Sequence, residues 1–204
     1  MKALIIGLGS VGKRHVNAIR EINPEIEIFA LRSSSAPTEV SFVNNIYSFD
    51  DISFQPDFII ISNPTNLHAQ SIISSLKFKC PLFIEKPVLH TLDDADLIQK
   101  MINENNIKTY IGCCLRFHKC LEFVKAQLSN ISLDNINEVN SYYGTYLPNW
   151  RPGKNYTESY SSKMEKGGGI HLDSIHELGY IYWFFNNPKV ITSSKRKVSQ
   201  LEID

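Results

Sequence analysis

The chain has 204 residues, of which 43% are hydrophobic, and its 21 lysines and arginines equal its 21 aspartates and glutamates. That length and composition bury one full domain core and part of a second, which excludes a disordered protein. Without a basic excess there is little to neutralise nucleic acid or an anionic lipid surface, and no apolar run approaches the roughly 20 residues of a membrane span, so a small-molecule partner is expected. The first residues run directly into a glycine turn instead of a cleavage site, which predicts a cytoplasmic protein. Cys80, Cys113, Cys114 and Cys120 lack the spacing of a zinc site, so no metal is expected and the thiols read as small buried hydrophobes. In chain order, aliphatic runs predict strands over 2–6, 26–31, 58–61, 82–84 and 109–112. Amphipathic stretches between them predict helices over 11–22, 66–76 and 92–103, the last capped by Thr91. This alternation is the βαβ pattern of a doubly wound parallel sheet and makes residues 1–115 one domain.

The texture changes beyond that point. A helix over 121–128 leads to residues 138–146, whose alternation and three tyrosines predict a half-buried antiparallel strand. A long irregular stretch, 147–169, ends in three consecutive glycines. A helix over 171–185 and strands over 189–194 and 197–203 complete an incomplete-looking second α/β domain, 116–204.

Gly7, Gly9 and Gly12 form GLGSVG directly after the first strand and before the first helix. Gly7 suits a tight turn, Gly9 lets backbone amides approach a pyrophosphate, and Gly12 allows close packing of helix on strand. Ser10 and Val11 open the helix whose unpaired N–H groups attract phosphate. The same glycines also occur in turns of α/β proteins that bind nothing. At the end of the second strand stands Arg32-Ser33-Ser34, where an acidic residue would select a free ribose hydroxyl. A guanidinium and hydroxyls there favour the 2′-phosphate of NADP, with NAD still open; the alternative is a solvated arginine in an ordinary turn.

Further segments follow other strands, where an open parallel sheet places its ligands. Ser62-Asn63-Pro64-Thr65 comes after residues 58–61, with His68 one turn on, and Glu85-Lys86-Pro87 after 82–84. Pro87 biases Lys86 towards extended backbone, which projects its ammonium from the strand end; considered alone, such a lysine reads as a surface charge before it reads as a catalytic group. Taken together and in this order, GLGSVG, Asn63-Pro64-Thr65 with His68, Glu85-Lys86-Pro87, Leu115-Arg116-Phe117-His118 and Gly167-Gly168-Gly169 followed by Asp173 and His176 resemble the Gfo/Idh/MocA oxidoreductases. That family includes glucose-fructose oxidoreductase and inositol dehydrogenase.

The resemblance implies a Rossmann domain followed by a domain with a large antiparallel sheet, through which copies associate as homo-oligomers. It also implies hydride transfer between NAD(P) and a sugar, nucleotide-sugar or cyclitol carbon. Lys86, Asp173 and His176 match the family's catalytic residues, with the histidine as general acid/base and the carboxylate orienting it. Gly7, Gly9, Ser10, Val11, Gly12, Arg32, Ser33, Asn63, Pro64, Thr65, His68, Glu85 and Lys86 would contact the cofactor. Arg116, Trp150, Arg151 and Lys163 are candidates for substrate contact. Asp173 and His176 are three apart where many relatives have four, and either spacing is expected on one helix face. Family members are longer, so a shortened C-terminal sheet is expected. Two function classes follow: a sugar dehydrogenase or reductase, or a non-catalytic protein that holds a dinucleotide.

Overall fold

A computed structural model describes residues 1–33, 40–150, 152–153, 155–186, 188–190 and 192–203. The chain divides into two compact units, Met1–Gly112 and Cys113–Asp204.

The first unit contains β1 (Lys2–Ile6), α1 (Ser10–Ile22), β2 (Glu27–Leu31), β3 (Val43–Ile46), β4 (Phe58–Ile61), α2 (His68–Ser75), β5 (Leu82–Ile84), α3 (Ala95–Glu104) and β6 (Thr109–Ile111). Its six strands are all parallel, in the order β3-β2-β1-β4-β5-β6. Alternation along each strand assigns residues to opposite faces. Leu4, Ile6, Ile59 and Ile61 join Ile72, Leu76 and Ile98 in one core. Ala3, Ile5, Ile28 and Ile60 join Val16 and Ile19 in the other. Both faces are therefore buried under helices, which is why the strands read as continuous aliphatic runs. The strand order reverses between β1 and β4, and a sheet of this kind takes ligands beyond the carboxyl ends of those strands.

Two local readings need correction. β3 is not expected from the sequence, because Asn44 and Asn45 interrupt its apolar residues; as an edge strand it pairs only with β2. The helix expected over 92–103 starts at Ala95, since residues up to Asp94 form turns and the Ala95 N–H donates to the Leu92 carbonyl at 3.0 Å. Thr91 does not cap it.

In the second unit, α4 (Lys119–Leu128) is capped by His118, whose Nδ1 accepts the Cys120 N–H at 3.3 Å. A short α5 (Leu147–Trp150) precedes α6 (Ile170–Asp173) and α7 (Ile175–Phe185). Lys125 of α4 donates to the Trp183 and Phe184 carbonyls at 2.7 and 3.3 Å, placing a cation at the carbonyl end of α7. The expected antiparallel sheet is not present: among the described residues, 138–146, 189–194 and 197–203 form no paired strand. The alternation of 138–146 has no apolar layer to face, and Tyr142 is 92% exposed. The single helix expected over 171–185 is two, broken at Ser174. No helix among the described residues is long and apolar enough to cross a membrane.

Of the four cysteines only Cys80 is buried; Cys113 is half-buried, and Cys114 and Cys120 are exposed, contrary to the expectation of buried thiols. Burial pushes the Cys80 thiol up to about 11. In native protein at mildly alkaline pH, Cys114 and Cys120 are expected to react with a thiol reagent well before Cys80, which reacts only on unfolding. Mass spectrometry of partially labelled protein checks the order.

Candidate functional site

The glycine bend is specified by what surrounds each glycine. Gly7 has φ +90°, and a Cβ on it would lie 2.5 Å from the backbone N and Cα of Asn63. Its N–H donates to the Leu31 carbonyl at 2.9 Å, and its carbonyl accepts the Ser62 hydroxyl at 2.8 Å. A Cβ on Gly12 would collide with the Gly7 carbonyl oxygen and lie 3.1 Å from the Ser62 hydroxyl. Gly9 differs: its φ is −74°, and a Cβ there would meet nothing within 4 Å. Gly9 caps α1 with no side chain, and the first turn carries no acidic residue, so among the described residues no cap side chain accepts from the N–H groups at the exposed Ser10 and Val11 end. Such a terminus attracts a phosphate.

Across the bend, the turn after β4 brings Asn63 against Gly7, and Pro64 and Thr65 follow it into the next helical turn. Asn63 donates to the Ser71 hydroxyl at 2.8 Å. Its carbonyl Oδ1, like that of Asn66, is buried and meets no hydrogen-bond donor among the described residues. A buried acceptor left so costs about 1–3 kcal/mol. The glycine bend and the uncapped helix terminus fit a dinucleotide.

His68 is only 1% exposed, with Nε2 2.9 Å from the Asn63 carbonyl oxygen and Nδ1 3.1 Å from that of Val88. It thus links the Asn63 turn to the segment after Lys86. Desolvation pulls its pKa below the ordinary value, against the Asn63, Val88 and Pro87 backbone and Glu85, which raise it. The unfolded chain accepts a proton below about pH 6.5 that the folded protein resists, so stability is full above that pH and falls below it. Urea unfolding at pH 7.5 and 5.5 should show this loss, and His68→Asn should reduce it.

Arg32 is 7% exposed; its N–H donates to the Ile46 carbonyl at 2.9 Å and Nη1 to Asn45 Oδ1 at 3.0 Å. This is not the solvated arginine of an ordinary turn. Ser33 is exposed, and Ser34 lies outside the described residues. The Glu85 carboxylate lies 2.8 Å from His15 Nε2 through Oε1 and accepts the Lys86 N–H at 3.2 Å through Oε2. Lys86 is half-buried and precedes a cis peptide bond to Pro87.

Lys86 belongs to the first unit and the remaining candidates to the second. Arg116 is exposed in the turn Cys114–Phe117, and Trp150 ends α5. Arg151 lies outside the described residues. Lys163 donates to Glu202 Oε1 at 2.7 Å, and that hydrogen bond and charge hold the ammonium's pKa above its ordinary value. Asp173 ends α6 and His176 is the second residue of α7, both half-buried, so the break at Ser174 puts them on two successive helical segments. His171 lies on α6; desolvation and then Lys195 lower its pKa, while Asp173 raises it. Asn66, Asn45 and His15 also shape the site and escape a reading of the sequence, since single polar residues have no distinctive spacing.

A glycine bend at the switch point of a six-stranded parallel sheet defines a dinucleotide-binding Rossmann protein. The chain belongs to the Gfo/Idh/MocA family, described as "Oxidoreductase family, NAD-binding Rossmann fold", whose profile matches residues 1–112. The uncharacterized oxidoreductase YrbE of Bacillus subtilis is 29% identical over 136 residues, 62% of this chain and 39% of the relative. The scyllo-inositol 2-dehydrogenase (NADP(+)) IolW of the same organism is 19% identical over 203 residues, 95% of this chain and 54% of the relative. The WlbA (WbpB) dehydrogenase of Thermus thermophilus, solved with NAD and UDP-GlcNAcA, aligns with a TM-score of 0.69 at 20% identity, over 91% of this chain and 63% of that one. The chain therefore spans about half of these relatives or less where curated sequences are compared.

Proposed function

We propose that the protein is an NAD(P)-dependent dehydrogenase or reductase acting on a CH–OH carbon of a sugar, nucleotide-sugar or cyclitol. The observation that carries the reading is the open space over Gly9 at an uncapped helix terminus, beside two glycines the fold requires. Bound there, a nicotinamide dinucleotide supplies two-electron hydride chemistry. Gly7, Gly9, Ser10, Val11 and Gly12 hold the diphosphate through backbone amides, and Asn63, Pro64, Thr65, Glu85 and Lys86 border the cofactor. His68, being buried, acts through the backbone of Asn63 and Val88. Lys86 hydrogen-bonds the substrate oxygen and stabilises negative charge on it. His176 takes or returns the hydroxyl proton and Asp173 orients it. Arg116, Trp150 and Arg151 contact substrate, and Lys163 does so while paired with Glu202.

Arg32 and Ser33 select NADP. The Thermus relative was solved with NAD and the inositol dehydrogenase is named for NADP(+), so the residue at the end of β2 decides for this chain. Calorimetric titration tests both points. NADPH is expected to bind at least about tenfold tighter than NADH, and Arg32→Ala to remove most of that preference. Equal or tighter NADH binding overturns the Arg32 assignment; heat from neither nucleotide overturns the function. The second reading, a protein that holds a dinucleotide without turnover, is favoured by one fact: the contacts that shape the bend all lie within residues 1–112.

A further inference from the structure

The carboxylate of Glu85 is held from three elements at once. From α1, His15 approaches Oε1 at 2.8 Å, with the two side chains 20% and 18% exposed. From the end of β5, the Lys86 backbone N–H donates to Oε2 at 3.2 Å. From the end of β6, Gly112 makes room: a Cβ there would lie 3.2 Å from Cδ and both carboxylate oxygens. The imidazole is itself seated by an edge-on contact with Phe83, ring centroids 5.1 Å apart, and Phe83 stacks on Tyr110 at 5.5 Å.

A half-buried carboxylate is least costly when donors occupy its oxygens. An ionised carboxylate only accepts, so the ring nitrogen facing it must carry the proton. The imidazole and one amide therefore occupy separate oxygens, in the room that Gly112 leaves for the carboxylate. His15 stands one helical turn beyond Gly12, on the helix whose first turn faces the open space above Gly9. Glu85 directly precedes Lys86. The hydrogen bond thus joins the phosphate-binding helix to the residue that presents the lysine.

We propose that His15 is a positioning residue: by holding Glu85 Oε1 it keeps Oε2 on the Lys86 N–H and so fixes the backbone from which Lys86 projects. The functional weight of this clamp rests on the role assigned to Lys86, whereas the clamp itself exists without any ligand. The test therefore reads the free protein first.

Selective 15N-lysine labelling of the full chain, with the Lys86 amide assigned through Lys86→Arg, gives that amide's hydrogen-exchange rate. His15→Ala is expected to speed its exchange by about tenfold or more, the consequence of losing a charge-assisted hydrogen bond. His15→Gln, whose amide nitrogen can reach the same oxygen, is expected to restore most of the protection. Glu85→Gln, which keeps the side-chain volume, gives a second reading if His15→Ala does not fold, and is expected to speed exchange likewise. Unchanged Lys86 exchange in a folded His15→Ala protein, or in Glu85→Gln should His15→Ala fail to fold, overturns the proposal. So does equal acceleration in His15→Ala and His15→Gln, because packing and not the hydrogen bond is then responsible. NADPH and NADH titrations of wild type are run in parallel: no binding there defeats the proposed function, while the exchange rates still decide whether the clamp exists.

Discussion

Gly9→Ala is expected to weaken NADPH and NADH binding by at least about tenfold while moving the thermal midpoint by only a degree or two, and Gly12→Ala to do damage of the opposite kind. Alanine normally stabilises a helix position relative to glycine by roughly 1 kcal/mol. At Gly12 that gain is overwhelmed, because the new methyl collides with the backbone carbonyl of Gly7 and crowds the Ser62 hydroxyl. Neither atom can retreat cheaply: the carbonyl belongs to a turn fixed by the Gly7 N–H on Leu31, and the hydroxyl is bonded to that same carbonyl. Overpacking of this sort costs about 1–3 kcal/mol, which for a unit of this size lowers the midpoint by roughly 5–20 °C. Gly7→Ala should fare at least as badly, since it adds a left-handed φ to a clash with the Asn63 backbone. At Gly9 the fold demands no glycine at all, for the backbone is extended and the Cβ position is open. Among the described residues nothing meets such a methyl, so a molecule seated there is what the methyl is expected to obstruct. Calorimetry and thermal melts on the two variants separate these effects, and a Gly9→Ala protein that binds both nucleotides as tightly as wild type removes the site.

The first unit is largely legible in the sequence because its signals are local. Runs such as Phe58-Ile59-Ile60-Ile61 can be buried on both faces only in a covered parallel sheet. The glycine spacing likewise corresponds to contacts found around Gly7 and Gly12. β3 is not legible, as Val43-Asn44-Asn45-Ile46 places turn-forming residues in mid-strand and gains its order from β2 and from Asn45 holding Arg32. The second unit is harder to read for a related reason. Alternation in residues 138–146 is a strand signal only when a neighbour accepts the backbone and a core accepts the buried face, and neither is supplied by the described residues. Helical periodicity across 171–185 likewise gives no warning of the break at Ser174, whose backbone leaves the helical region at ψ 31°. His15 escapes notice in the sequence because one histidine on an amphipathic helix carries no pattern; only the third dimension shows that it meets a carboxylate 70 positions away.

Lys86→Ala is expected to lower turnover by about 10²–10³-fold while leaving NADPH affinity within a few-fold of wild type, a split that distinguishes charge stabilisation from cofactor binding. The lysine leaves the sheet at the carboxyl end of β5, and its backbone is bonded to the side chain of the residue before it. An ammonium presented from so fixed a point would stabilise the negative charge an oxygen takes on when its proton is withdrawn or when hydride arrives at the carbonyl carbon, an interaction worth more at the transition state than in the ground state. Lys86→Arg keeps the charge but spreads it over a planar fork with different reach, so it should recover only part of the rate. His176→Ala should cost a comparable 10²–10⁴-fold through lost proton transfer, with a changed pH profile that Lys86→Ala does not show. Nicotinamide absorbance, followed with nucleotide-sugar and cyclitol candidates in both reaction directions, measures all three. Turnover that survives both alanine variants removes the mechanism. Wild-type protein that binds NADPH yet turns over none of these candidates favours the dinucleotide-holding reading, because the contacts of the glycine bend are complete within residues 1–112 whether or not chemistry follows.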